Sequence, residues 1–217
     1  MTVKTKYALA QKYVSLYMHP KFVFEDESVL KNGEAYVVVC NHMRAGDGIL
    51  PRIALIEKRA CSLMAKDILE KHSVLRLLVK GLDCIPIDRK AAATDWLRQC
   101  TALLKNGTSV VIFPEGTTLK TKEIEHFKSG FVFLAAAAKV KILPMAISKP
   151  YRPFKKDGPT VLVGKPQELE LNGFRESEIQ KECDRFEKIV TDMYLSLKNE
   201  NNIKEENHEF TRLQQAE

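Results

Sequence analysis

Short, mainly apolar runs alternate along this chain with longer stretches that read as helices. The runs fall at residues 35–40, 61–65, 84–87, 109–113, 142–148 and 160–164, and the stretches read as helices at 48–58, 67–80, 91–105, 129–139 and 175–198, the fourth of them apolar throughout Phe131 to Ala138. Apolar runs of this length without polar alternation predict strands buried on both faces. Strands alternating with helices predict βαβ units, hence one α/β domain with a mainly parallel central sheet flanked by helices.

The ends read differently. Val3, Tyr7, Ala10, Val14 and Tyr17 recur at 4-3-4-3 spacing, with Lys4, Lys6 and Lys12 off that stripe and Pro20 behind it. This predicts an N-terminal amphipathic helix over 3–18, assigned with its stop to residues 1–20. Its stripe can lie on a membrane surface or on the domain's own core, and Tyr151-Arg152-Pro153-Phe154-Lys155-Lys156 is a second candidate membrane contact. Residues 21–34 read as an irregular edge segment with a turn at Lys31-Asn32-Gly33. The domain then extends over 21–198. Residues 199–217 are polar and predict a disordered tail.

Composition narrows the partners. The 217 residues are 45% hydrophobic, enough for a sizeable core, and carry a net charge of +6. That charge points to an anionic partner: phosphorylated substrate, anionic lipid, acidic carrier protein or nucleic acid. No nucleic-acid recognition motif accompanies it. The five cysteines, Cys40, Cys61, Cys84, Cys100 and Cys183, form no C-x-x-C pair. They read as small buried hydrophobes in a reducing compartment, not as zinc ligands. No stretch reaches the roughly 20 apolar residues of a membrane span, and no leader pattern opens the chain. The expectation is a cytoplasmic protein attached peripherally to the inner face of the cell membrane.

Two polar motifs follow apolar runs. Asn41-His42-Met43-Arg44-Ala45-Gly46-Asp47 follows the first, and Phe113-Pro114-Glu115-Gly116-Thr117 follows the fourth. In open α/β sheets, ligands bind outside the carboxyl ends of the strands, so the two motifs can share one crevice. His42 and Asp47 would lie about 140° apart on a helix. They meet only if His42 sits on a strand-to-helix loop and Asp47 opens the helix. Pro51, tolerable only in a first turn, agrees with that. Asp47 then holds one imidazole nitrogen and leaves the other as a general base toward a substrate hydroxyl. Gly116 lets a backbone turn approach a ligand. Glu115 either accepts from an acceptor hydroxyl or holds a nearby Arg. Residues 81–89 read as a strand delivering Arg89, which captures a phosphate or pairs with Asp88 on the surface.

The ordered set N-H-x4-D, G…I-P-I-D-R, F-P-E-G-T and I-L-P-M-A-I resembles the glycerolipid acyltransferase family, nearest to the bacterial 1-acyl-glycerol-3-phosphate acyltransferases, over about residues 22–170. The resemblance implies that His42 is the base and Asp47 its orienter. It implies that Lys66, Arg89, Glu115, Gly116 and Thr117 bind the acceptor. His126-Phe127-Lys128-Ser129-Gly130 is similar to the family's F-K-x-G turn. The implied reaction moves a fatty acyl group from a coenzyme A or acyl carrier protein thioester to 1-acyl-glycerol-3-phosphate, giving phosphatidate, with no metal or bound cofactor. Two positions depart from the pattern. Thr118 stands where the family has Arg, and Arg44 stands where it often has Ser. Arg44 is therefore an additional candidate phosphate contact. Two alternatives stay open: another lysophospholipid or alcohol acceptor, and a non-catalytic lipid- or carrier-binding relative. A serine hydrolase is disfavoured because no G-x-S-x-G elbow is present.

Overall fold

A computed structural model describes residues 12, 14, 16–44, 46–55, 59–65, 85–87, 93–116 and 124–214 of the chain. Seven strands form one sheet among the described residues: β1 Lys21–Phe24, β2 Val37–Cys40, β3 Ala60–Ala65, β4 Ile85–Ile87, β5 Ser109–Ile112, β6 Ile142–Ile147 and β7 Thr160–Val163. Their order is β1-β7-β6-β2-β5-β3-β4. All neighbours run parallel except β6 and β7, so the sheet is mainly parallel, as the run pattern predicts.

The runs that form β6, β2 and β5 lie at the middle of the sheet and are buried at every position, because there both faces are covered, whereas β4 lies at one edge and β7 next to the other. Val37, Val39, Val110 and Ile112 pack on one face against α2 (Ala93–Lys105), α3 (Gly130–Ala138) and α4 (Glu176–Gln214). Val38, Cys40, Val111, Leu143 and Met145 pack on the other, against α1 (Leu50–Ala54) and the residues before β1. Pro144 sits inside β6 and has no N–H to give, yet its carbonyl accepts from Gly164.

Two expectations meet differences, and two more are described only in part or not at all. Residues 21–24, read as irregular, form β1 at the sheet edge, where half-exposed alternation replaces the buried run. The tail expected to be disordered from Asn199 continues α4 through Gln214. Its polarity argues against burial, but its Glu, Lys, Gln and Arg are good helix formers, and no Gly or Pro interrupts 176–214. Of the N-terminal helix, residues 12, 14 and 16–18 are helical and the remainder lies outside the described residues. Val14 and Met18 are buried in the domain core. At that end the stripe packs on the fold itself. The helix expected over 67–80 also lies outside the described residues.

Parallel pairing aligns the carboxyl ends of β2, β5 and β6. The reversed direction of β7 and β1 brings their amino ends to the same side. The loops after Cys40, Ile112 and Ile147 and the residues before Lys21 therefore crowd one end of the sheet.

Candidate active site

Asn41 is the first residue beyond β2 and is fully buried. Its side chain makes two hydrogen bonds with the backbone of Ile147: Nδ2 donates to the carbonyl (3.1 Å), and Oδ1 accepts the N–H (2.7 Å). This amide pins the loop to β6 at the point where it leaves the sheet. The sequence pattern gave Asn41 no role, although a polar residue directly behind a buried strand must find such partners.

The loop then folds around Asp47. Its Oδ2 accepts the N–H groups of Met43 and Arg44, both at 2.6 Å. Asp47 opens a 3₁₀ turn, Asp47–Ile49, that runs into α1 with Pro51 in its first turn. That is the loop-and-opening arrangement the spacing requires. His42 Nδ1 lies 3.5 Å from Asp47 Oδ2. The histidine side chain is 18% exposed and the carboxylate fully enclosed. His42 Nδ1 and Asp47 Oδ1 are buried with no hydrogen bond. The pair is aligned but not closed, and such contacts commonly tighten only once a substrate is bound. Phe113 stacks on the imidazole at 4.1 Å between centroids and 23° between planes. The ring is thus held in orientation by an aromatic that the sequence reading left unassigned.

The second motif stands beside the first. The turn Pro114–Gly116 follows β5, and Gly116 has φ +73°, a conformation that favours glycine. A Cβ there would stand 2.6 Å from Lys128 Nζ, so the lysine side chain lies over the turn. Lys128 is itself placed by its N–H, which donates to the Pro114 carbonyl (3.0 Å), and by its neighbour Phe127, whose N–H donates to Glu187 of α4 (3.0 Å). Lys128 is exposed and makes no ion pair among the described residues.

Glu115 differs from its expected position. It is buried, and both oxygens accept backbone N–H groups: Oε1 from His42 (2.8 Å) and Oε2 from Glu125 (3.2 Å). Burial pushes its carboxyl above the ordinary 4.5, and those two N–H bonds pull it partly back. It holds neither an Arg nor an open position toward solvent. It ties the His42–Asp47 loop to the segment that carries Lys128. Arg44 is exposed and lies over the Tyr151 ring at 5.8 Å. Lys66, Arg89, Thr117 and Thr118 lie outside the described residues. The structure therefore brings together His42, Asp47, Glu115, Gly116 and Arg44, and adds Asn41, Phe113, Lys128 and Tyr151. The signal for Lys128 was a cation just ahead of a helix start, within the quoted F-K-x-G turn.

The four described cysteines are buried and free. Burial pushes the thiols of Cys40 well up, Cys100 up to about 12 and Cys183 up to about 11. None of them is a poised nucleophile.

Comparison with known proteins decides the family. The model of the Acyltransferase family matches residues 21–148, more than half of the chain. The chain belongs to the Acyltransferase family. A Mycoplasma pneumoniae protein named "Probable 1-acyl-sn-glycerol-3-phosphate acyltransferase" is 31% identical over 147 residues, covering 63% of this chain and 53% of that protein. The 1-acyl-sn-glycerol-3-phosphate acyltransferase of Bacillus subtilis is 28% identical over 134 residues, covering 60% of this chain and 66% of that one. The chain thus spans about half the length of the first of these relatives. The crystal structure of the 1-acyl-sn-glycerophosphate acyltransferase from Thermotoga maritima superposes with a TM-score of 0.66. It is 21% identical, and the match covers 90% of this chain and 78% of that one. At that identity the likeness speaks for the fold. This acyltransferase-family chain shares the sheet and helices of that structure, and the His42–Asp47 loop falls inside the matched residues.

Proposed function

We propose that the protein is an O-acyltransferase that moves a fatty acyl group from a thioester to the free hydroxyl of 1-acyl-glycerol-3-phosphate, giving phosphatidate. The observation that carries the reading is the fixed dyad. Asp47 is immobilised by two backbone N–H bonds and faces His42 Nδ1 at 3.5 Å. This leaves Nε2 as the nitrogen turned away from the carboxylate and available as base.

In the proposed reaction, Nε2 accepts the proton of the acceptor hydroxyl as that oxygen attacks the thioester carbonyl carbon. The C–O bond forms, and the tetrahedral intermediate collapses with cleavage of C–S. The proton held by His42 passes to the departing thiolate, so the products are an ester and a thiol. Asp47 stabilises the imidazolium between the two transfers. Glu115 acts at one remove, because its bond to the His42 N–H fixes the backbone from which the base projects. Lys128, over the Gly116 turn, supplies positive charge for the acceptor phosphate, alongside Arg44 and the residues expected to help it, Lys66, Arg89 and Thr117. The reading calls for no metal or bound cofactor, and the thioester is a co-substrate.

The names of the relatives support this acceptor. The donor is a coenzyme A or acyl carrier protein thioester. Purified protein is offered labelled acyl thioesters of both kinds against lysophosphatidate, other lysophospholipids and simple alcohols, and products are identified by mass spectrometry. Phosphatidate as the dominant product is expected. Preferential acylation of an uncharged alcohol would overturn the phosphate acceptor, and no transfer to any acceptor would overturn the catalytic reading.

A further inference from the structure

The end of the sheet that carries the dyad also carries an unusual surface. Leu16, in the last helical turn before β1, is 60% exposed, and Phe154, in the β6–β7 connection, is 75% exposed. The two segments are joined. The Phe154 N–H donates to the Tyr17 carbonyl (2.9 Å), and the Tyr17 ring meets the Phe154 ring edge-on at 5.0 Å. Tyr17 also touches Tyr151, whose hydroxyl lies 2.7 Å from where a Gly46 side chain would begin. The patch is thereby continuous with the His42–Asp47 loop.

Charge and backbone both single out this connection. Arg152, Lys155 and Lys156 are exposed and make no ion pair among the described residues, while its one carboxylate, Asp157, is paired with Lys149. Phe154 has φ +61°, a left-handed conformation that a bulky side chain adopts only at a cost. The fold recovers little for that cost, since most of the ring faces water. An aromatic held outward between free cations fits the interface of an anionic membrane. There the ring enters the headgroup region and the cations meet lipid phosphate.

We propose that Leu16, Phe154, Arg152, Lys155 and Lys156 form a docking surface for anionic lipid. By that contact the acceptor lipid is delivered at the lip of the His42 loop without leaving the bilayer plane. The delivery rests on the acyltransferase reading, whereas the binding does not.

The test uses the full chain and sedimentation with phosphatidylglycerol–phosphatidylcholine vesicles, against phosphatidylcholine alone. Lys155→Glu with Lys156→Glu should weaken binding to the anionic vesicles by a factor of about 30 or more, since each basic residue near such a surface contributes about fivefold. Phe154→Asn should also weaken it while leaving the melting temperature equal or higher, because Asn accepts the left-handed conformation. Both variants should retain turnover on a water-soluble short-chain acceptor and lose it on acceptor embedded in vesicles. Unchanged vesicle binding in both variants would overturn the proposal, as would a Phe154→Asn protein that melts lower yet binds as before. No turnover on any acceptor by wild type would remove the acyltransferase reading while the sedimentation result still decides the surface.

Discussion

The loop after β2 and the turn after β5 stand side by side at one end of the sheet, and each contributes a buried carboxylate. Asp47 presents one oxygen to an imidazole that reaches the surface, and the two N–H bonds it accepts come from its own loop. Glu115 presents neither oxygen to a side chain, and its bonds join segments distant in sequence. In the proposed reaction the first is the reacting unit, built locally. The second is a brace that lets the first stand in one place. A carboxylate in a strand-end motif is therefore not by itself a substrate ligand: where its two oxygens are already committed decides what is left for it to do.

If that division is right, variants of the first loop lose rate and keep the fold. His42→Ala should lower turnover by about 10²–10⁴ and leave the melting temperature close to wild type, since the ring is already partly exposed. Asp47→Asn should also lose rate, because an amide no longer favours the imidazolium. It should melt lower as well, because one charge-assisted acceptor for Met43 and Arg44 is weakened. Single-turnover kinetics with calorimetry on both proteins measures each half. Near wild-type turnover in His42→Ala would break the comparison at its root.

Lys128→Ala sharpens the contrast by taking a group from the second region that makes no brace. Its ammonium has no partner among the described residues, so its loss should cost little stability. Removing one cation from the proposed phosphate site should raise the KM for a phosphorylated acceptor by roughly tenfold, as expected for a charge-assisted contact of about 1.5 kcal/mol. The KM for the thioester and kcat should change less. Steady-state kinetics with each substrate varied in turn separates the cases. A larger effect on the thioester would place Lys128 on the donor side.

Much of this was legible because the deciding interactions are local. Six of the strands announced themselves as mainly apolar runs, and the His42–Asp47 pairing followed from Pro51 and the five-residue spacing within one loop. β1 escaped notice because four half-exposed residues at a sheet edge lack that signature. The length of α4 escaped because polarity was read as disorder where helix propensity carries the chain on. The brace was out of reach for another reason. Glu115 bonds an N–H 73 positions away, and no spacing rule spans that distance. Lys128 over Gly116 is likewise a product of tertiary placement.

The smallest effect tests the brace through its proton. Burial raises the folded-state pKa of Glu115 above the 4.5 it has when unfolded. The folded protein therefore holds this proton to higher pH than the unfolded chain does. Between 4.5 and the raised value the unfolded chain binds fewer protons, so the stability from this group falls as pH rises and levels off above that window. Glu115→Gln cannot titrate, and its amide turns an N–H toward one of the two backbone donors. It should be less stable by about 1–3 kcal/mol. The deficit should be largest below pH 4.5, where the wild-type carboxyl is neutral in both states, and should narrow toward neutral pH. Paired thermal melts across that range read the gap directly. A gap that widens with rising pH would mean that the two N–H bonds outweigh burial and favour the ionised form. Glu115 would then resemble Asp47, a fixed charge beside the base, and the line between reacting loop and brace would have to be redrawn.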